Sequence, residues 1–252
     1  MLTHYSISNL KLHSTNPRRW ALTYLEKWKE PASVALTFGS DVHSYIEYLL
    51  RGRRGVIPTA LSDTDKGVLN NWYRQFAPIG DIHIENKFSV MLLNNTPPLI
   101  GIVDLWYKNP LSGLHIFDHK TCKGPYCLTA PQLLTDWQLN MYAYALNLGK
   151  EDVTIYHNQF VKNTANSIKS WNIQKNILTK NNISGIIKDI RTEIGKAEVS
   201  IQQYKKDGIE ALPETPQHRR WYGKLDNWWP VISGEVDIDD YNKYLKSRGE
   251  LL

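Results

Sequence analysis

Two apolar segments joined by a short polar turn constrain the fold more than any other feature of the sequence. Residues Leu99 to Tyr107 and Leu114 to Thr121 are rich in Ile, Val, Leu and aromatic side chains. The residues between them, from Lys108 to Gly113, include Asn, Pro, Ser and Gly, which is the composition of a turn. The sequence therefore predicts an antiparallel hairpin.

Acidic side chains occupy matching positions in the two arms of this hairpin. If the hairpin is symmetric about Leu111, Asp104 lies directly opposite Asp118, with Cβ atoms about 4.5–5.5 Å apart. Lys120 follows Asp118 by two residues and projects from the same face. Two facing carboxylates repel each other unless a cation lies between them, so this register favours a metal site.

The chemistry of such a site follows from its donor atoms. Oxygen ligands suit Mg²⁺ or Mn²⁺, whose bound water can become the attacking hydroxide, and a lysine can orient that water or stabilise charge on a phosphate. The spacing alone leaves open an ordinary polar strand face, balanced by Lys120. Asp104 argues against that alternative because it lies within the apolar run Leu99 to Trp106, where an acid needs a partner.

The rest of the chain supplies an alternating order of helices and strands. Periodicity and turn residues predict helices over Val34 to Leu50, Asp65 to Phe76, Pro131 to Leu148 and Ile183 to Tyr204, and further strands over Ile82 to Leu92 and Val153 to Val161. This order predicts an α/β fold with a mixed sheet, because the last strand must cross over to rejoin the sheet. We expect one domain over residues 1–252, with a core over about 34–162 and a helical and aromatic extension over about 163–252.

Composition excludes several classes of protein. The 252 residues are 42% hydrophobic, which is enough for a folded core, and contain no apolar run long enough to span a membrane. Two cysteines are too few for a disulfide framework, an iron–sulfur cluster or an all-thiolate zinc site, and the polar N-terminus indicates a cytoplasmic protein. A net charge of +5 permits contact with nucleic acid without requiring it.

Five motifs, in order along the chain, resemble the RecB-type branch of the PD-(D/E)XK nuclease superfamily, which includes the CRISPR adaptation nuclease. Gly101 to Leu105 resembles its glycine-x-x-aspartate strand and Asp118 to Thr121 its D-x-K-T strand. Gln138 to Tyr142 is similar to its Q-x-x-x-Y helix, and Gly39 to His43 to its glycine-x-x-x-histidine helix. The opening of the branch is similar to Ser6 to Trp20. The resemblance covers about residues 6–161 and implies a PD-(D/E)XK, restriction-endonuclease-like core with extra N- and C-terminal helical segments.

The resemblance also implies roles for individual residues. His43, Asp104, Asp118 and the backbone carbonyl of His119 would hold the metal, and Glu85 stands where the family usually has a further acid. Lys120 would be the catalytic lysine. The substrate strand would contact the pair on the helix that follows the hairpin, Gln138 and Tyr142, which are one helical turn apart.

Three of these roles have structural alternatives that the sequence leaves open. His43 can instead be a structural histidine paired with Glu47, and Tyr142 can be a ring that packs its helix against the sheet. Glu85 can tune the site, bind a second metal or lie on the surface of a strand.

One departure from the family concerns cysteine. Many members of the branch hold an iron–sulfur cluster with one N-terminal and three C-terminal cysteines, but Asn16 stands at the first position and the tail from Pro213 to Pro230 has none. We therefore expect no iron–sulfur cluster, and we hypothesise that aromatic packing of the tail replaces it.

Basic and aromatic residues favour a single-stranded DNA partner. Arginines occur in three groups, two of which also contain Trp or Tyr. From these groups we select as phosphate-binding candidates Arg18, Arg19, Arg53, Arg219 and Arg220. The expected function is a Mg²⁺- or Mn²⁺-dependent DNA exonuclease that prefers single-stranded ends, acting in replication, recombination or repair. We expect no membrane partner, and the chain would act in the host cytoplasm if it is phage-encoded. The alternatives are a structure-specific endonuclease that works with a partner and a catalytically silent DNA-binding subunit.

Overall fold

The chain divides into two compact units, each assembled from separate stretches of sequence. In this computed structural model one unit comprises Met1–Ala32, Val90–Ile100 and Asp189–Leu252, and the other comprises Ser33–Ser89 and Gly101–Lys188. We describe residues 2–27, 34–75, 81–124, 127–163, 167–213, 220–221 and 224–225. Among these residues, no helix combines the length and the apolar character that a membrane span requires. The interpretation of the whole chain as one domain stays a prediction.

The elements follow the predicted alternation of helices and strands. The helices are α1 (Ile7–Thr15), α2 (Pro17–Tyr24), α3 (Val34–Leu50), α4 (Asp63–Gln75), α5 (Ala130–Leu133), α6 (Trp137–Asn147) and α7 (Lys180–Asp207). The strands are β1 (Ile82–Val90), β2 (Leu99–Asn109), β3 (Gly113–Cys122), β4 (Val153–Lys162), β5 (Ile168–Leu178), β6 (Arg220–Trp221) and β7 (Lys224–Leu225). A 3-10 helix covers Ile209–Ala211.

A mixed five-stranded sheet in the order β1-β2-β3-β4-β5 forms the centre of the second unit. Strands β2 and β3 are antiparallel, β3 and β4 are parallel, and β4 and β5 are antiparallel. The hairpin has the predicted register, since Leu105 pairs with Phe117 and Asn109 with Gly113 around Leu111. The α/β class and the mixed sheet are confirmed, and the sheet with its flanking helices is consistent with a PD-(D/E)XK-like core.

Helices α3 and α4 cover one face of the sheet. Their apolar side chains, among them Ile46, Leu69 and Trp72, form one buried cluster with Phe117 and Phe160 of the strands. Helix α4 begins with a reciprocal cap, in which Ser62 Oγ accepts from the Asp65 amide and Asp65 accepts from Ser62. Because residues alternate along β3, Asp118 projects away from the face that Phe117 packs against.

Two elements differ from the sequence prediction. The helix predicted over Pro131 to Leu148 is broken into α5 and α6 because the Asp136 carboxylate accepts from the amides of Gln138 and Leu139 and caps a new helix. Strand β5 is not predicted, since the only element that the sequence predicts after Lys162 is the helix over Ile183 to Tyr204. Its polar, weakly alternating sequence is typical of an edge strand, so periodicity does not identify it.

The first unit is organised by a cluster of buried polar side chains, His13, Glu193 and Ser200, which we name the helix cluster. His13 Nδ1 donates to Glu193 Oε1 at 2.6 Å, and His13 Nε2 lies 2.9 Å from Ser200 Oγ. Lys196 Nζ donates to the other carboxylate oxygen of Glu193 at 3.3 Å. These contacts join α1 to α7.

The two cysteines form a disulfide between Cys122, at the end of β3, and Cys127. No free cysteine is left in the described part of the chain, and the sequence contains only these two. Neither sulfur is therefore available as a free thiolate ligand of an iron–sulfur cluster. The proposed aromatic replacement of that cluster concerns a tail that lies almost entirely outside the described residues.

Candidate metal centre

Three residues from separate elements meet in the second unit and could hold a metal ion. They are His43 of α3, Glu85 of β1 and Asp104 of β2, whose possible ligand atoms all lie within 4.8 Å of one another. His43 Nδ1 lies 3.7 Å from Asp104 Oδ2. One imidazole and two carboxylates at this separation are suited to a divalent cation. Together with Asp118 and Lys120, they form what we name the sheet cluster.

Glu85, the second member of this group, has an unusual backbone conformation. Its φ of 51° lies in the left-handed region, although the residue belongs to a strand and is not glycine. Such conformations cluster at functional sites, where the surrounding structure sustains their cost. Burial, together with the negative charges of Asp104 and Glu47, raises the pKa of Glu85 to about 7.

Asp118 and Lys120 lie beside the three residues, as the hairpin register predicts. Lys120 Nζ is 3.1 Å from Asp118 Oδ1, and only 1% of the Asp118 surface is exposed. Burial, and next the negative charge of Asp118, raises the pKa of Asp104. The pKa of Lys120 is also raised, because the two aspartates outweigh the opposing effect of burial. Lys120 therefore stays a cation at neutral pH.

Beyond the Leu105–Phe117 pair of the hairpin, a side-chain contact links β2 to β3. The backbone amide of His119 donates to Asp104 Oδ2 at 2.7 Å and so fixes the carboxylate. The His119 ring is buried, accepts from the Asn158 amide at Nδ1 and meets the Trp72 ring edge to face. Burial lowers the pKa of His119 well below its usual value, so the ring is neutral. The role of its backbone carbonyl as a ligand stays a prediction.

Gln138 and Tyr142 share one face of α6, as their spacing predicts. Gln138 Nε2 donates to the Tyr142 hydroxyl. Burial and the charges of Asp118 and Asp104 raise the pKa of Tyr142 well above its usual value, so the phenol stays protonated beside the acids. Tyr142 also meets the Phe88 ring edge to face, which combines the predicted site role with the alternative role in packing.

At two motif positions, a side chain larger than that of glycine would crowd a neighbouring residue. A Cβ atom on Gly101 would come within 2.5 Å of the Phe88 ring, so the ring that contacts Tyr142 can pack only against glycine. A Cβ on Gly39 would lie 3.3 Å from Thr121 Oγ1, where α3 approaches β3 closely. Both glycines permit the close packing that positions the site.

His157 is a site residue that the sequence analysis does not identify. It pairs with Asp118 across the parallel β3–β4 ladder, and its Nε2 lies 3.5 Å from Asp118 Oδ2. Gln159 Nε2 lies 3.1 Å from His157 Nδ1. Burial lowers the pKa of His157 despite the nearby Asp118 carboxylate. Its position depends on the register of a crossover, which no local motif specifies.

The predicted phosphate-binding arginines are only partly covered by the described residues. Arg53 is exposed in the turn after α3. Arg18 and Arg19 belong to the first unit, where Arg18 is 3.3 Å from the Glu210 carboxylate. Arg219 and the side chain of Arg220 lie outside the described residues. Their contacts with a substrate stay predictions.

Comparison with known proteins gives a likeness of fold and no family. No family model and no curated protein match the chain. A solved structure from Eubacterium rectale, described as a "Putative exonuclease", is similar with a TM-score of 0.56 and 14% identity, covering 94% of each chain. Another, named SSO0001, has a TM-score of 0.37 and 12% identity over 74% of each chain, which is too weak a likeness for a conclusion. The chain thus has an α/β fold similar to that of the Eubacterium rectale protein, around an acidic group suited to a metal ion.

Proposed function

We propose that the chain is a metal-dependent DNA exonuclease of the RecB-type branch of the PD-(D/E)XK superfamily, with a preference for single-stranded ends. The observation that carries the proposal is the sheet cluster, which combines three possible ligands with an adjacent acid and lysine. The similarity in fold to the Eubacterium rectale protein and the motif resemblance support it.

The side chains present fit a divalent metal. Asp104 and Asp118 are both buried. Burial, and next the charge of Asp118, raises the pKa of Asp104. Keeping both carboxylates ionised is therefore costly without a compensating cation. His43, Glu85 and Asp104 would hold the ion, with Asp118 beside them. When bound, Mg²⁺ or Mn²⁺ supplies an acidic water and neutralises charge on a phosphate.

The chain's own residues then divide the remaining work. Lys120 remains an ammonium and can donate to a phosphate oxygen, which stabilises the charge that develops in hydrolysis. Tyr142 can donate its phenolic proton, and Gln138 orients that hydroxyl. The His119 amide keeps the Asp104 carboxylate in place.

The preference for single strands and for ends is supported by the basic and aromatic composition. The described residues contain none of the base-reading modules that enter a duplex groove, and Tyr and Trp are abundant, at 14 and 9. We further propose that the activity serves DNA replication, recombination or repair in the cytoplasm, and for a phage-encoded protein in the host's. This rests on the family resemblance alone.

Digestion of end-labelled DNA tests the proposal. Linear single strands and duplexes labelled at either end, and closed circular single strands, are incubated with Mg²⁺ or with Mn²⁺. We expect linear single strands to be degraded, circles to survive, and a chelator to stop the reaction. The Lys120→Ala variant should be inactive at the same protein concentration and serves as the control for a contaminating nuclease.

Each other result contradicts a defined part of the proposal. Cutting of circles would identify an endonuclease, and faster digestion of duplexes would overturn the strand preference. Activity that survives a chelator would overturn the metal dependence. If neither the linear nor the circular strand is cut with either metal, the chain is a silent binding subunit.

A further inference from the structure

A stacked pair of rings lies on the sheet beside the candidate metal centre. The imidazole of His83 and the indole of Trp106 are parallel within 8°, with centroids 3.8 Å apart. Trp106 Nε1 donates to Asn86 Oδ1 at 2.7 Å, which fixes the rotation of the indole. His83 is exposed and Trp106 is half-buried. The pair is therefore held in one orientation while its outer ring faces solvent.

The position of the pair follows from the strands that carry it. Trp106 lies two residues after Asp104 on β2, and His83 lies two residues before Glu85 on β1. Two residues of a strand span about 7 Å, and alternate side chains of β2 project from one face. The rings are thus about one nucleotide away from the proposed metal ligands. Lys87, two residues after Glu85, is exposed on the same strand and adds positive charge.

A second histidine stack in the same sheet shows why exposure matters here. His115 and Tyr107 are parallel within 2°, with centroids 4.8 Å apart, but their exposed fractions are only 6% and 7%. That stack packs the sheet under α3 and α4 and has no ring face open to a ligand. The His83–Trp106 stack has the same parallel form at an accessible position, where packing alone does not require it.

We propose that the His83–Trp106 pair is a stacking platform for a nucleobase of the DNA strand whose phosphate lies at the metal centre. This inference rests on the proposed nuclease function and adds the base contact to it. Every nucleobase has an aromatic face, so the platform binds single strands without regard to sequence. A base inside a duplex is already stacked on both sides and cannot use it. The platform therefore supplies the preference for unpaired ends.

Kinetics with modified single strands test the platform. We compare kcat/KM for oligonucleotides that carry either a normal nucleotide or an abasic tetrahydrofuran residue at each position near the end. His83→Ala and Trp106→Ala should lower kcat/KM on normal strands by roughly 5- to 150-fold, the range measured for loss of one base–aromatic contact. His83→Phe, which keeps a planar ring, should restore most of it. When the abasic residue stands at one particular position of the strand, wild type and His83→Ala should have the same kcat/KM.

A binding readout that does not depend on cleavage accompanies the kinetics. The inactive Lys120→Ala variant is irradiated with single strands that contain 5-iododeoxyuridine, and the cross-linked peptide is identified by mass spectrometry. We expect the adduct at His83 or Trp106. Trp171→Ala removes a half-buried indole from the other edge strand and is the matched control, which should cross-link as the parent does.

The outcomes separate this inference from the proposed function. If wild type cleaves DNA but both ring variants stay within twofold of it, or the adduct maps elsewhere, the platform is wrong and the nuclease proposal stands. If wild type cleaves no DNA but cross-links at these rings, the nuclease proposal fails and the platform stands as a single-strand binding site. If all abasic positions have equal effect in every variant, stacking at this site is refuted.

Discussion

The helix cluster of the first unit and the sheet cluster of the second both bring histidine and carboxylate side chains together, but they differ in how those groups are satisfied. In the helix cluster, Glu193 binds His13 through one oxygen and Lys196 through the other, and His13 uses both ring nitrogens. In the sheet cluster, the acids lie near one another, and burial, reinforced by their mutual repulsion, raises the pKa of both Glu85 and Asp104.

This contrast distinguishes a buried charge that serves folding from one that serves function. A network whose donors and acceptors are all paired stabilises the fold, because removing one member leaves another buried and unpaired. A group of acids without enough cations is a cost to the fold, and it is retained where a ligand supplies the missing charge.

Replacing one acid of the sheet cluster should remove activity and leave stability intact. Asp118→Asn keeps the shape but removes the charge beside Lys120, so we expect metal-dependent cleavage to fall by about 10³-fold or more. The thermal midpoint should stay unchanged or rise because the repulsion is relieved. Glu193→Gln in the helix cluster is the matched control and should keep its activity while folded. An active Asp118→Asn enzyme would refute the site.

Breaking the helix cluster should instead lower the stability of the protein. Glu193→Ala leaves His13 buried without its hydrogen-bond acceptor, so the free energy of unfolding should fall by about 3 kcal/mol, the upper end of the cost of leaving a buried polar group unpaired. Urea unfolding measures the loss. Lys196→Ala removes the partly exposed partner of the same glutamate and should cost about 1 kcal/mol or less. If both variants lose the same small amount, the cluster does not stabilise the unit.

Metal should stabilise the protein in a pH-dependent way. A divalent ion at 100 times its dissociation constant adds about 2.7 kcal/mol to the free energy of unfolding. Because Glu85 has a pKa of about 7 in the fold, protons compete with the ion as the pH falls through 7, and the metal-induced rise in thermal midpoint should shrink between pH 8 and pH 6.

Without metal, the pH dependence of stability should have the opposite sign. The pKa of Glu85 is raised from 4.5 in the unfolded chain, so its contribution to stability is full below pH 4.5 and is lost as the pH rises through about 7. In melts recorded with a chelator, Glu85→Gln should remove this loss of stability between pH 4.5 and about 7. A variant that keeps both pH dependences would show that another group titrates.

Enlarging Gly101 should produce the smallest effect. Gly101→Ala places a methyl group 2.5 Å from the Phe88 ring, which should cost about 1–2 kcal/mol and disturb the contact with Tyr142. The second substitution Phe88→Leu should recover part of the stability. Gly185→Ala is the matched control, since a Cβ in that position of α7 meets no atom within 4 Å and should not destabilise the helix. Equal stabilities of the two alanine variants would contradict the steric role.

Much of the site was accessible to sequence reasoning because its parts are local. Alternation and turn residues determined the hairpin, and the symmetry of its turn determined the register that brings Asp104 to the level of Asp118. The spacing of four residues placed Gln138 and Tyr142 on one helix face. Strand β5 was not accessible, because its stability comes from pairing with β4 and not from its own pattern.

Local sequence was sufficient to predict the α/β alternation, the hairpin register and the order of the motifs, since each depends on neighbours a few residues apart. The left-handed backbone of Glu85, and the approach of its carboxylate to His43 and Asp104, are visible only in the folded chain. Only the tertiary structure decided that the parallel crossover sets His157 against Asp118, and that Phe88 requires a glycine in position 101. The physical reason is that these contacts join segments far apart in the chain, and their geometry is fixed only when the sheet and its helices pack together.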